Sequence, residues 1–234
     1  MPTGGPSGNW SPGLSVKSCD VFPSVFPIDS NLTHRLHDHM SDLLFATNNQ
    51  HKLREIQEIF GNSIHILSLK DVNVDVEIPE TQETIEGNAI QKARFIHELT
   101  GLNCFADDTG LEIAALGQRP GVYSARYAGE GCSFDDNVAK ILGELEGVEN
   151  RQACFRTVIC LILDGEEKIF EGRIDGEITL VRRGADGFGY DPVFMPSGFT
   201  QTFAEMPPYL KNGISHRGRA ATRMSQFISS VISK

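Results

Sequence analysis

A chain of 234 residues with an ordinary globular composition has room for one large domain or two small ones. Its formal net charge of -10 argues against the basic stripes of a nucleic-acid-binding surface, though not against a local basic pocket for an anion. No apolar run approaches the ~20 residues of a membrane span, and five cysteines without a CxxC pair fit a reducing compartment better than a disulfide framework.

Residues 1–41 are rich in Gly, Pro and Ser, without periodicity, and read as a disordered or loosely attached leader. Its one apolar stretch, Val21 to Ile28, is broken by Pro23 and Pro27 and makes a poor signal-peptide core. His34, His37 and His39 cluster near its end; a solvated tail is the better reading than a metal site. Met40 immediately precedes the first patterned segment, so a functional protein beginning there is expected.

Residues 42–234 read as one α/β domain with a mixed sheet. Asp42 to Ala46 is a short buried strand. A polar loop from Thr47 to Lys52 leads into a helix with Leu53, Ile56, Ile59 and Phe60 on one face and Arg54, Glu55 and Glu58 on the other. Asn caps helices well, and a helix amino end suits phosphate. Lys52 is not favoured there by the helix dipole, so its position needs a reason. Ile64 to Leu69 reads as a strand. Val72, Val74, Val76 and Ile78 alternate with polar residues, which predicts a further, half-exposed strand. A helix is predicted from Thr84 to Leu99, closed by Gly101, with Asn88 and Lys92 on one face.

The apolar run Cys104-Phe105-Ala106 then meets Asp107 and Asp108. A strand is expected to end there and present both acids at its carboxyl end, where open α/β sheets bind ligands, with Thr109-Gly110 as a turn. Two adjacent carboxylates need a cation, a shared proton or solvent. A helix from Ser133 to Gly147 follows, then a β-meander over 152–182, with strands Lys168–Ile174 and Glu177–Val181 on either side of Asp175-Gly176. The loop Gly184 to Pro192 is glycine-rich; Phe188 is either a stacking platform for a flat ring or a core plug. Lys211, His216 and Arg217 gather at the amino end of a final helix, against its dipole. The inventory is acidic (Glu80, Asp107, Asp108) and cationic or donor-rich (Asn49, Lys52, Lys92, Lys211, His216, Arg217). Together these describe a site for a magnesium-bound nucleotide polyphosphate.

Six blocks resemble, in order, the inosine triphosphate pyrophosphatase family: FATNNQHKLREI (a (A/V)TxNxxKxxE motif), GNAIQKA, FADDTGLEIAALGQRPGVYSARYAG, GFGYDPVF, TFAEM and KNGISHRGRA. The resemblance covers about residues 42 to 232. Asn48 stands where Gly is common. It implies an elongated two-lobed α/β fold with a long mixed central sheet and a cleft. It also implies Mg2+ and hydrolysis of ITP, dITP and XTP to the monophosphate and pyrophosphate. A cytoplasmic homodimer is expected, with small nucleotides rather than nucleic acid or membrane as partners.

Carried over by position, Thr47, Asn49 and Lys52 would hold the phosphates, in a substrate loop that also contains Asn48, Gln50 and His51. Glu80 and either Asp107 or Asp108 would hold the metal, with Asp108 as general base and Thr109 touching substrate. Phe188, Gly189, Tyr190 and Asp191 would cradle base and sugar. Lys92, Lys211, His216 and Arg217 would complete the site. A Maf-like pyrophosphatase is the alternative enzyme, disfavoured by the SHRG and FGYDP blocks. A silent nucleotide-binding protein is disfavoured by the intact Lys52, Glu80, Asp107 and Asp108.

Overall fold

A computed structural model describes residues 42–232. The leader, its His34, His37 and His39 cluster and Met40 lie outside the described residues.

The chain builds a seven-stranded mixed sheet of order β2-β1-β3-β5-β6-β7, with β4 pairing off β3. The strands are β1 (Asp42–Phe45), β2 (His65–Leu67), β3 (Cys104–Ile113), β4 (Arg119–Gly121), β5 (Gln152–Leu163), β6 (Glu166–Ile178) and β7 (Phe194–Pro196). Strand β1 runs parallel to β2 and β3, and all other pairings are antiparallel. Among the described residues five α-helices flank it: α1 (Gln50–Phe60), α2 (Ile85–Thr100), α3 (Phe134–Glu144), α4 (Pro208–Ile214) and α5 (His216–Ile232).

Helix boundaries follow local chemistry. Asn49 caps α1, its side chain accepting from the amides of His51 and Lys52. Thr84 caps α2, and Gly101 closes it in the left-handed conformation. Ser133 and Asp136 form a reciprocal capping box at the start of α3.

Three expectations are corrected. First, residues 72–78 form no ladder strand. Their burial does alternate, since Val72 is buried and Val74, Val76 and Ile78 pack on the core beneath α2. Period-two hydrophobicity reports an extended chain with one face inward, not whether a partner strand lies beside it. Second, Asp175-Gly176 is no turn, because β6 passes straight through it. Gly176 serves close packing instead, since a side chain there would strike β7 at the Met195 carbonyl. Third, β3 does not stop at the acids. It runs ten residues, through Asp107, Asp108, Thr109 and Gly110.

That third difference positions the cleft. On the β1 side, β3 pairs only at Cys104 and Phe105, and β4 joins it from Leu111 onward. Residues 106–110 therefore pair on the β5 side alone. One face of β3 carries Phe105 into an apolar cluster beneath α1 and α5, and Leu111 and Ile113 into a second cluster beneath α3. Asp107 and Thr109 fall in the gap between those two clusters. Thr157, directly opposite Thr109 on β5, falls in the same gap. The opposite face of β3 sends Cys104 and Ala106 into the third cluster, beneath α2, and Asp108 stands at its edge. The two lobes meet along this polar seam.

Candidate active site

A cleft of about 320 Å³ opens at the seam. Its walls come from the loop after β1, the extended segment ending at Glu80, α2, the stretch of β3 paired on one side only, the 122–125 loop, the glycine-rich loop and the α4–α5 junction.

At one end stand acids and lysines. Asp108 is nearly buried; its Oδ2 accepts from Asn88 Nδ2 at 3.2 Å and its Oδ1 lies 3.5 Å from Lys92 Nζ. Lys92 also pairs with Glu80, which is partly exposed. Burial raises Asp108 above the usual carboxylate range, and the charges of Lys92 and Lys52 only partly oppose it. Burial pushes Glu80 the same way, but Lys92 wins and holds it low. Lys92 itself is desolvated, yet Asp108 and Glu80 keep it firmly charged.

Asp107 points the other way, as alternation along a strand demands. Its side chain is fully enclosed: Oδ1 meets Lys52 Nζ at 3.0 Å and Oδ2 meets Arg217 Nε at 3.1 Å. Desolvation opposes its charge, but Lys52 and Arg217 outweigh it and hold the carboxyl far below its ordinary range. Here is the reason for a lysine at a helix amino end: Lys52 reaches across to a buried carboxylate. Desolvation lowers Lys52, with Asp107 the main opposing influence.

The other end is built from buried ion pairs and rings. Glu55 bridges Lys211 Nζ at 2.6 Å and Arg217 Nη1 at 2.5 Å. Asp191 takes Lys211 Nζ at 2.6 Å and the Phe188 amide at 2.8 Å. Arg217, only 2% exposed, spends its remaining edge on Thr109 Oγ1 at 3.2 Å, and that hydroxyl pairs with Thr157 Oγ1 at 2.6 Å. Burial opposes the charge of Glu55, but Arg217 and Lys211 hold it ionised and low. His216 is buried flat against Phe155, with ring centroids 4.5 Å apart. Desolvation, reinforced by Arg217 and Lys211, drives its pKa well down, so the ring is neutral. Its Nδ1 is the one buried side-chain polar atom among the described residues without a hydrogen-bond partner. Gly172 on β6 lets this junction approach, since a side chain there would strike the His216 carbonyl. Phe188 lines the cleft with Lys211 Nζ 5.1 Å and Arg217 Cζ 5.7 Å from its ring centre. His51 stacks on Phe188 at 5.1 Å from outside the cleft lining.

The structure thus brings Thr47, Asn48, Asn49, Lys52, Glu80, Lys92, Asp108, Thr109, Phe188, Gly189, Tyr190, Asp191, Lys211, His216 and Arg217 into one cavity. Gln50, His51 and Asp107 do not line it. Glu55 closes the (A/V)TxNxxKxxE motif, yet in sequence it is only one polar residue on a helix face, and Asn88 shares a helix face with Lys92 with nothing in its spacing to mark a task. Phe134, Asn137 and Ser124 also line the cleft and carried no distinctive spacing.

For a divalent cation the donors are oxygens. Glu80 and Asp108 converge on the single ammonium of Lys92. Around the cleft five carboxylates (Glu55, Glu80, Asp107, Asp108, Asp191) face four cations (Lys52, Lys92, Lys211, Arg217), leaving one negative charge in excess. Among the described residues no three ligating side chains form a ready-made cage. One or two carboxylates completed by substrate phosphates is the arrangement magnesium favours, and Glu80 with Asp108 fits it.

The model of the Ham1 family matches residues 43–227. A dITP/XTP pyrophosphatase of Flavobacterium johnsoniae is 52% identical over 187 residues, covering 80% of this chain and 97% of its own length. One from Porphyromonas gingivalis is 52% identical over 190 residues, covering 81% and 98%. The Ham1 protein of Staphylococcus aureus superposes with a TM-score of 0.73 at 37% identity, over 81% of this chain and 99% of that one. A HAM1 protein from Coxiella burnetii gives 0.73 at 39% identity, over 81% and 98%.

Proposed function

The chain belongs to the Ham1 family, and we propose on that premise that it hydrolyses non-standard purine nucleoside triphosphates (ITP, dITP, XTP) to the monophosphate and pyrophosphate. One observation carries the reading. A single cleft has a carboxylate–lysine end built around Asp108, Glu80 and Lys92, and an aromatic, donor-rich end built around Phe188, Lys211, His216 and Arg217. A nucleoside triphosphate has the matching polarity, with anionic phosphates at one end and a flat base at the other.

Magnesium belongs to this proposal, held by Glu80 and Asp108 with the substrate's own phosphate oxygens. When bound, it neutralises phosphate charge and lowers the pKa of water. The chain's residues do the rest. The amino end of α1 and Lys52 orient the phosphates. Asp108, facing the cleft from β3, accepts the proton of the attacking water. Lys92 holds both carboxylates in place. Phe188 stacks on the base. Donors near the purine 6-position favour a 6-oxo group over adenine's amino group, and an unmet buried donor costs about 1–3 kcal/mol, roughly ten- to a hundredfold.

The test is a panel of nucleoside triphosphates with magnesium, measuring pyrophosphate separately from orthophosphate. Pyrophosphate from ITP and XTP, with little from ATP, is the expected result. Orthophosphate release, or no turnover, refutes the reading. A homodimer in the cytosol completes the proposal; light scattering tests the first and fractionation the second. No helix of the described residues is long and apolar enough to cross a membrane.

A further inference from the structure

The two carboxylates proposed to work together come from unlike supports. Asp108 sits on β3. Glu80 sits on an extended segment with no ladder. One face of α2 joins them. Lys92 pairs with Glu80. Gln91 Oε1 accepts from the Thr81 amide at 2.9 Å, and Gln91 Nε2 donates to Thr81 Oγ1 at 2.8 Å. Asn88 Oδ1 accepts from the Gln82 amide at 2.9 Å. Three consecutive residues, Glu80, Thr81 and Gln82, are therefore each held by a side chain from α2.

Asn88 does more than tether. Its Nδ2 donates to Asp108 Oδ2 at 3.2 Å. It is 1% exposed, with its carbonyl committed to the loop and its amide group to the acid. Asn is a poor helix former and a costly residue to bury unless its hydrogen bonds are met. Here they are met by the two segments that carry the carboxylates. Asp108 Oδ1 faces Lys92, so Asn88 and Lys92 grip its two oxygens separately and fix the carboxylate plane.

We infer that Asn88 is a positioning residue: it sets the orientation of Asp108 against the Glu80 segment without touching substrate. The inference rests on the functional reading above. A misplaced reacting group costs turnover more than affinity.

The experiment uses Asn88→Asp, which keeps the acceptor for the Gln82 amide and removes the donor to Asp108. With ITP and magnesium, kcat should fall about ten- to a hundredfold. KM should move less than about threefold, the signature of an interaction needed in the transition state. The melting temperature should fall, because the new carboxylate is buried against Asp108, and Asn88→Ser separates that charge effect from the loss of the donor. In an Asp108→Asn background, followed by single-turnover measurement, Asn88→Asp should add little further loss, because its effect runs through the missing carboxylate. Equal losses in both backgrounds, or near-wild-type kcat, overturn the inference. Should Asn88→Asp be too unstable to assay, Asn88→Ser removes the reach to Asp108 without adding charge and should show the same split; an unchanged kcat there also overturns it. Wild-type pyrophosphate release from ITP is measured alongside. Its absence sinks the functional reading and this inference together, whereas normal wild-type release with unchanged variants sinks Asn88 alone.

Discussion

The two ends of the cleft handle charge in opposite ways. At the base end, Glu55 and Asp191 meet Lys211 and Arg217 one for one, in pairs of 2.5–2.6 Å with almost no solvent. The result is a neutral, mutually paired set of charges with little left to reorganise on binding. At the phosphate end, Glu80, Asp107 and Asp108 meet only Lys52 and Lys92, and Arg217 lends one edge to Asp107 from the far side. That end retains a negative charge, and Glu80 keeps contact with solvent. A preorganised end suits recognition. An incompletely compensated end suits a cation and a moving proton.

The most severe way to break this contrast is Asp108→Asn. It removes the proposed base and leaves the base end intact, so kcat should drop about 10²- to 10⁴-fold while nucleotide binding measured by calorimetry survives. Near-normal turnover would move the general base elsewhere.

Next comes Arg217→Ala, which breaks both ends at once. Its guanidinium is buried and neutralises both Asp107 and Glu55. Stranding buried charges costs about 3–5 kcal/mol, so a large fall in melting temperature should accompany loss of the ITP-over-ATP preference. A stable variant with unchanged preference would remove Arg217 from both roles.

Phe188→Ala confines the damage to the base end. Base–aromatic stacking is worth about 1–3 kcal/mol, so KM for ITP should rise while kcat at saturation changes little. An unchanged KM would make Phe188 a plug in the wall.

The smallest effect is a pH dependence. The folded-state pKa of Glu55 is depressed, so its pairing stabilises the protein above its unfolded value and that contribution fades as pH falls through the folded one. Melting temperatures of wild type and Glu55→Gln should differ most near neutrality and converge in acid. A gap independent of pH would mean that Glu55 contributes shape rather than charge.

Much of the framework was legible because short-range rules write it. Asn49, Thr84 and Ser133 cap their helices as side-chain chemistry dictates. The apolar face of α1 goes inward at Leu53, Ile56 and Phe60. The candidate cleft residues fall largely into one cavity. What misled was pattern without partner. The alternation over 72–78 has the period of a strand but no neighbour to pair with, and Asp175-Gly176 has the composition of a turn inside a strand held on both sides.

The chain by itself determined where α1, α2 and α3 begin, which face of α1 is apolar and where polar groups gather at element ends, since these depend on neighbours a few positions away; it did not reveal α4, which carries Lys211 in its last turn. It could not determine which way Asp107 and Asp108 point. That was decided by a stretch of β3 paired on one side only, between the end of β1 and the start of β4. Because the strand does not turn there, alternation sends Asp108 toward Asn88, Lys92 and the cleft, and buries Asp107 between Lys52 and Arg217. Glu55 belongs to the same lesson. On its helix it is one polar residue among several, and it acquires a task only when α4 and α5, more than 150 residues later, bring Lys211 and Arg217 against it.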